Sequence, residues 1–140
     1  MGTIVSYNIL KPECAPRVNK GDAGADLRVR DSFEVLPGQT VKVPLGVSFE
    51  IPSEGVFVQL SARSSVALQG VYCHIGTIDH TFNGKEVCAI VTNFSNDPAW
   101  FETGERIVQA VVLEHGSVCY TKKVIEDKGS KDGFGSSGKY

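Results

Sequence analysis

Over residues 40–51 six apolar side chains, Val41, Val43, Leu45, Val47, Phe49 and Ile51, alternate with Lys42, Pro44, Gly46, Ser48 and Glu50. Successive side chains of an extended chain point to opposite faces, so this period of two commits the stretch to a strand with one face on a core. Pro44 has no amide donor and Gly46 no side chain, which predicts a break or bend there. Turn chemistry brackets the strand, Leu36-Pro37-Gly38-Gln39 before it and Pro52-Ser53-Glu54-Gly55 after it. Val5, Tyr7 and Ile9 suggest an earlier strand, Leu27 and Val29 another, and residues 56–60 one more. Residues 87–94 and 106–113 are apolar on both faces, so each needs covering by a second sheet or by a partner subunit. Residues 64–68 form the one helical turn expected. Short strands separated by Gly/Pro turns predict an all-β chain, a jelly-roll-like sandwich or barrel with at most one short helix.

A chain of 140 residues is long enough for one domain with its own core. That domain is expected over residues 1–127. Residues 128–140, rich in glycine and serine and without a core pattern, are expected to form a flexible lid. The net charge of -2 supplies no global field for nucleic acid, so phosphate binding has to be local. No apolar run approaches a membrane span, and the start, Met1-Gly2-Thr3-Ile4-Val5, lacks the basic-then-apolar layout of a signal peptide. A cytoplasmic or nuclear, non-secreted protein is expected. Cys14, Cys73, Cys88 and Cys119 include no C-x-x-C pair. Cys73, His74, His80 and Cys88 match no common zinc spacing, so buried, inert thiols are expected in place of a zinc site or a disulfide framework.

The stretch Gly76-Thr77-Ile78-Asp79-His80-Thr81-Phe82-Asn83-Gly84 concentrates chemistry. One carboxylate stands three places before an aromatic ring, glycines close both ends, and an apolar strand follows. It reads as a β-hairpin rim, where glycine permits positive φ and close backbone approach to a ligand. Asp79 is the candidate base and Phe82 the candidate platform for a nucleoside.

Four further stretches carry polar chemistry. Ala23-Gly24-Ala25-Asp26-Leu27 places a lone carboxylate at a strand start. Ala62-Arg63-Ser64-Ser65-Val66-Ala67 offers a guanidinium and two hydroxyls before a helix-like start, a phosphate cradle. Gly104-Glu105-Arg106-Ile107-Val108-Gln109 puts a glutamine on a strand face, where it must find partners or an open site. Gly133-Phe134-Gly135-Ser136-Ser137-Gly138 ends the chain. In order and spacing these five stretches resemble the motifs of the trimeric dUTP pyrophosphatases (dUTPases), A-G-x-D-L, R-S-G/S, G-x-I-D-x-x-Y-x-G, G-x-R-x-x-Q and G-F-G-S-T-G.

The resemblance implies a homotrimer with shared sites, Mg2+ as cofactor, and hydrolysis of dUTP to dUMP and pyrophosphate by water attacking the α-phosphorus. By it, Asp79 orients or deprotonates the water and Phe82 packs on the deoxyribose. Main-chain groups around Cys73, Thr77, Ile78 and Val87 read the uracil edge. Arg63, Ser64, Ser65 and Gln109 hold the phosphates, Asp26 holds magnesium through a water, and Arg106 is structural. Phe134, Gly135 and Ser136 close the site from another subunit. The chain departs from the pattern in three places. Phe82 replaces tyrosine and loses a phenol hydrogen bond. Ser65 stands where many relatives have glycine. Gly129 stands where an arginine is usual, so Lys128 or Lys131 is expected to supply charge without the bidentate fork.

The sequence leaves two other readings open. A dCTP deaminase of related fold needs a glutamate where this chain has Ala89. A dUTPase-like regulatory protein would bind nucleotide with weak or no activity.

Overall fold

The computed structural model describes residues 2–129. Its ten strands are β1 (Ser6–Ile9), β2 (Gly24–Arg28), β3 (Phe33–Val35), β4 (Thr40–Glu50), β5 (Val56–Ala62), β6 (Val71–Cys73), β7 (Gly76–Ile78), β8 (Glu86–Asn93), β9 (Ala99–Phe101) and β10 (Arg106–Glu114), with one helical turn, α1 (Ser64–Ala67). Sheet 1 runs β1-β4-β8-β6, sheet 2 runs β2-β10-β5-β7, and β3 pairs with β9. All the pairings are antiparallel, and among the described residues no strand pairs with the next one in sequence. Every sheet contact is therefore made across a crossover, the jelly-roll arrangement that the strand pattern predicted.

The alternation of β4 explains its place at the centre of sheet 1. Val43, Leu45, Val47 and Phe49 are buried, each such side chain contributing roughly 1.5–3 kcal/mol of transfer free energy. The predicted bend is present. From Pro44 to Ser48 β4 advances four residues while β8 advances two, from Cys88 to Glu86. Gly46 turns this bulge at φ 65°, and a Cβ there would lie 2.4 Å from the Cys14 sulfur, so only glycine fits. Its amide donates to Glu86 Oε2 at 3.0 Å, while Arg30 binds Glu86 Oε1 at 2.5 Å.

The hairpin expected at residues 76–94 is corrected. β7 pairs with β5 in sheet 2, whereas β8 lies between β4 and β6 in sheet 1. Asn83 is the physical reason. Its side chain accepts from the Ile51 amide at 2.8 Å and donates to the Ile51 carbonyl at 3.0 Å, acting as an extra strand residue beside the end of β4. Gly84 donates to Phe49 O at 3.1 Å. The segment is thus anchored to β4 before β8 begins and cannot fold back on β7.

Covering of β8 and β10 is partial. Val87, Ala89 and Val91 are buried, as are Ile107, Val108 and Ala110, but Ile90 is 49% exposed and Val112 42%. Beyond Glu114, residues 115–129 form no regular structure and are exposed.

Candidate functional site

Asp79 caps a 3-10 turn over His80–Phe82, accepting from the Thr81 amide at 3.0 Å. The Thr81 hydroxyl donates to the same oxygen, Oδ1, at 2.5 Å. These bonds, the hydroxyl's above all, stabilise the charged form and hold the carboxyl below its usual pKa. Asp79 is exposed and therefore ionised and open to water at neutral pH. With Phe82, Thr77 and Ile78 it lines a cleft of about 470 Å³ that also includes Gly76 and Leu60. Phe82 is 36% exposed, and the Lys85 ammonium lies 5.6 Å from its ring centroid. Two acids, Asp79 and Glu86, and one accessible ring thus line a partly apolar cleft, the kind of lining in which a few placed polar groups orient a small ligand.

The second cluster lies across sheet 2. Asp26 is opposite Gln109, and Gln109 is opposite Ser61, so the pairing sets all three in one row. Arg106 donates to Asp26 Oδ2 at 2.9 Å, the Arg63 Nε lies 3.5 Å from the same oxygen, and Arg63 also donates to the Arg106 carbonyl at 3.1 Å. Gln109 donates to Ala62 O at 3.2 Å. Gly24 makes this packing possible, since a Cβ there would stand 2.9 Å from Gln109 Oε1. Asp26, Arg106 and Gln109 face a polar cavity of about 320 Å³. Ser64 and Ser65 open α1 and are exposed beside Arg63.

Within one chain the two clusters stay apart. Val58 is opposite Ile78, so Asp79 continues that register level with Phe57. It stands four residues from Ser61, roughly 13 Å along the strand.

The other residues singled out divide three ways. Cys73 and Val87 are buried in the core of sheet 1, and burial pushes the Cys73 thiol up to about 11. Their side chains do not line the cleft, so only their main chain is open to a ligand role. Lys128 is exposed on the segment after β10. Lys131, Phe134, Gly135 and Ser136 lie outside the described residues. Among the described residues no three His, Cys, Asp or Glu side chains converge as a metal cage. Magnesium needs no such cage when phosphates and waters fill most of its shell, so a lone outer carboxylate such as Asp26 fits it.

Sequence reasoning overlooked Lys42, Thr81, Glu86, Cys88 and Ile90, all of which line the cleft. Thr81 occupies an unspecified position of its motif. The others belong to strands whose partners the local pattern did not reveal. Ala89, where a deaminase glutamate would stand, is buried in the core.

Taken together, fold and site define a jelly-roll protein with an acid-and-ring cleft and a separate guanidinium–carboxylate row. A family profile for dUTPases matches residues 11–138, and the chain belongs to the dUTPase family. The deoxyuridine 5'-triphosphate nucleotidohydrolase of Chlamydia felis is 38% identical over 133 residues, covering 85% of this chain and 86% of that protein. Among solved structures, a single-site variant of the Staphylococcus bacteriophage 80alpha dUTPase with dUpNHpp superposes with a TM-score of 0.79 at 22% identity, covering 96% of this chain and 98% of the other. A variant of the phage phi11 dUTPase of S. aureus, described with the coordination of a structural Mg(II) ion, has a TM-score of 0.78 at 19% identity over 90% of this chain and 99% of its own. At these identities the two structures bear on the fold alone. Among the described residues no helix is long and apolar enough to cross a membrane.

Proposed function

We propose that this chain hydrolyses dUTP to dUMP and pyrophosphate, which would limit uracil entering DNA and supply dUMP for dTMP synthesis. One observation carries the reading: in a chain matching the dUTPase family over residues 11–138, Asp79 and Phe82 share one cleft. The nucleoside sits in that cleft, with Phe82 flat against the deoxyribose, where a 2'-hydroxyl would meet the ring. Main-chain groups near Thr77 and Ile78, with those of Cys73 and Val87, recognise the uracil edge. Asp79 accepts a proton from the water that attacks the α-phosphorus in line, and pyrophosphate leaves. Arg63, Ser64, Ser65 and Gln109 hold the phosphate chain. Mg2+, when bound to the triphosphate and held through water by Asp26, supplies neutralisation of the charge that builds on the phosphates.

The separation of the two clusters within one chain supports a homotrimer, in which the Asp79 cleft of one subunit faces the Asp26 row of another. The exposed Ile90 and Val112 support burial against copies of the same chain. Residues 128–140 act as the lid, with Lys128 or Lys131 reaching the γ-phosphate and Phe134, Gly135 and Ser136 closing over the nucleotide. Two features favour this reading over deamination. Ala89 offers no carboxylate, and the second acid of the cleft, Glu86, has both oxygens engaged by Arg30 and Gly46.

Pyrophosphate release measured across the deoxynucleotides and UTP, with and without magnesium, tests the reading. Magnesium-dependent release from dUTP alone is expected. Binding without release would favour a regulatory nucleotide-binding protein, and ammonia from dCTP would favour the deaminase.

A further inference from the structure

The two oxygens of Asp79 are treated unequally. Both donors from Thr81, its amide at 3.0 Å and its hydroxyl at 2.5 Å, address Oδ1. A carboxylate on an exposed loop otherwise turns freely about its last bond, whose torsional preference is broad and two-fold. Two donors on one oxygen fix the plane, and the stiff β-branched side chain of Thr81 holds the hydroxyl in place. We propose that Thr81 is a positioning residue for the hydrolytic step, clamping Oδ1 of Asp79 so that Oδ2 is the oxygen presented to the attacking water.

The inference rests on the reading of Asp79 as the water-activating base. Thr81 lines the same cleft as Asp79, but its one hydroxyl proton is committed to the carboxylate. It therefore acts through Asp79 and does not donate to the phosphate. The ionisable groups around the acid are His80, adjacent in the chain, and Lys42, Glu86 and Cys88, which line the cleft from β4 and β8. The hydrogen bond from the Thr81 hydroxyl is the largest contributor to holding Asp79 in its charged form, ahead of the Thr81 amide and of the charge on His80. Loss of that hydroxyl therefore makes Asp79 easier to protonate, and the acidic side of the rate profile moves to higher pH.

The test compares full-length Thr81→Val, Thr81→Ser and Asp79→Asn with the unaltered chain, following pyrophosphate release from magnesium-dUTP as a function of pH. Thr81→Val keeps the shape and the backbone amide but removes the hydroxyl. Its kcat is expected to fall roughly tenfold, with KM little changed and the acidic limb displaced upward. Thr81→Ser is expected to restore both. If Thr81→Val does not fold, by thermal unfolding, Thr81→Ala is read in the same way. An unshifted limb with unchanged kcat in the variant lacking the hydroxyl, or a loss that serine does not restore, overturns the clamp. Asp79→Asn separates the two levels. An inactive Asp79→Asn beside a normal Thr81→Val sinks the clamp alone, while normal turnover in Asp79→Asn removes the base assignment and the clamp with it.

Discussion

The two acids of sheet 2 are held in opposite ways. Asp26 lies within β2, paired across β10, and shares one oxygen between Arg106 and Arg63, which belong to distant parts of the chain. Asp79 lies just past the end of β7, exposed, and its donor stands two residues away. Among the described residues Asp79 makes no salt bridge. The contrast follows from what each is asked to do under the proposed function. A carboxylate that shares a site with phosphates and metal gains from guanidiniums already placed by the sheet, since its own charge would otherwise repel the ligand. A base must keep an oxygen free for a proton, so hydrogen bonds from a neighbour serve it better than an ion pair.

The largest expected effect breaks the comparison if it fails. Asp79→Asn should lower kcat by about 10²–10⁴ and leave nucleotide binding and thermal stability nearly unchanged, because the side chain supports no long-range contact. Asp26→Asn should do the reverse in stability. It leaves two guanidiniums side by side without their shared anion, and the side chains involved are only 22% to 29% exposed. A cost of about 1–3 kcal/mol is expected, reduced from the fully buried case by solvent screening, and thermal unfolding measures it. Equal destabilisation by the two substitutions would erase the distinction.

The same contrast governs what could be read from the sequence. Strands were legible wherever the period of two was clean, as in β4, and so was the bend at Gly46, since Pro and Gly punctuate locally. Partnerships were not. The supposed hairpin failed because nothing in residues 76–94 reports that Asn83 pairs with Ile51 or that β7 belongs beside β5. In the site, Asp79, Phe82 and Asp26 stood out as motif residues, but their supports did not. Gly24 is a motif letter whose reason, the Gln109 side chain 2.9 Å from where a Cβ would be, exists only once β2 and β10 are paired. Thr81 is invisible as a letter and acquires meaning from a 3-10 turn. The lid residues Lys131, Phe134, Gly135 and Ser136 lie outside the described chain, so their expectation stands as proposed.

A pH series sharpens the comparison from both ends. Asp79 has a lowered pKa in the folded chain, so its contribution to stability is present above the unfolded value and is lost as pH falls through the folded one. Cys73 has the opposite sign. Burial pushes its thiol from 9.0 to about 11, so the folded state resists ionisation. Its contribution is complete below about 9 and is lost as pH rises toward 11, costing about 2–3 kcal/mol. Urea unfolding midpoints across the alkaline range should fall less steeply for Cys73→Ala than for the unaltered chain. The slope is the readout, because the cavity left by alanine shifts the absolute stability at every pH.

The smallest effect concerns the ring and not the acid. Lys85 stands over Phe82 at 5.6 Å from its centroid, an exposed cation–π contact worth about 0.5–1 kcal/mol. If Phe82 is the sugar platform, its orientation matters for holding the nucleoside and not for the proton transfer at Asp79. Lys85→Ala should then raise KM for dUTP by about two- to fivefold, the equivalent of that contact energy, with kcat and the acidic limb unchanged. Steady-state kinetics on the full-length chain separates the two constants. A fall in kcat with KM constant would mean that Lys85 meets the reacting phosphates and not the ring alone. The cleft would then add a cation to the phosphate contacts that Arg63 makes from the Asp26 row.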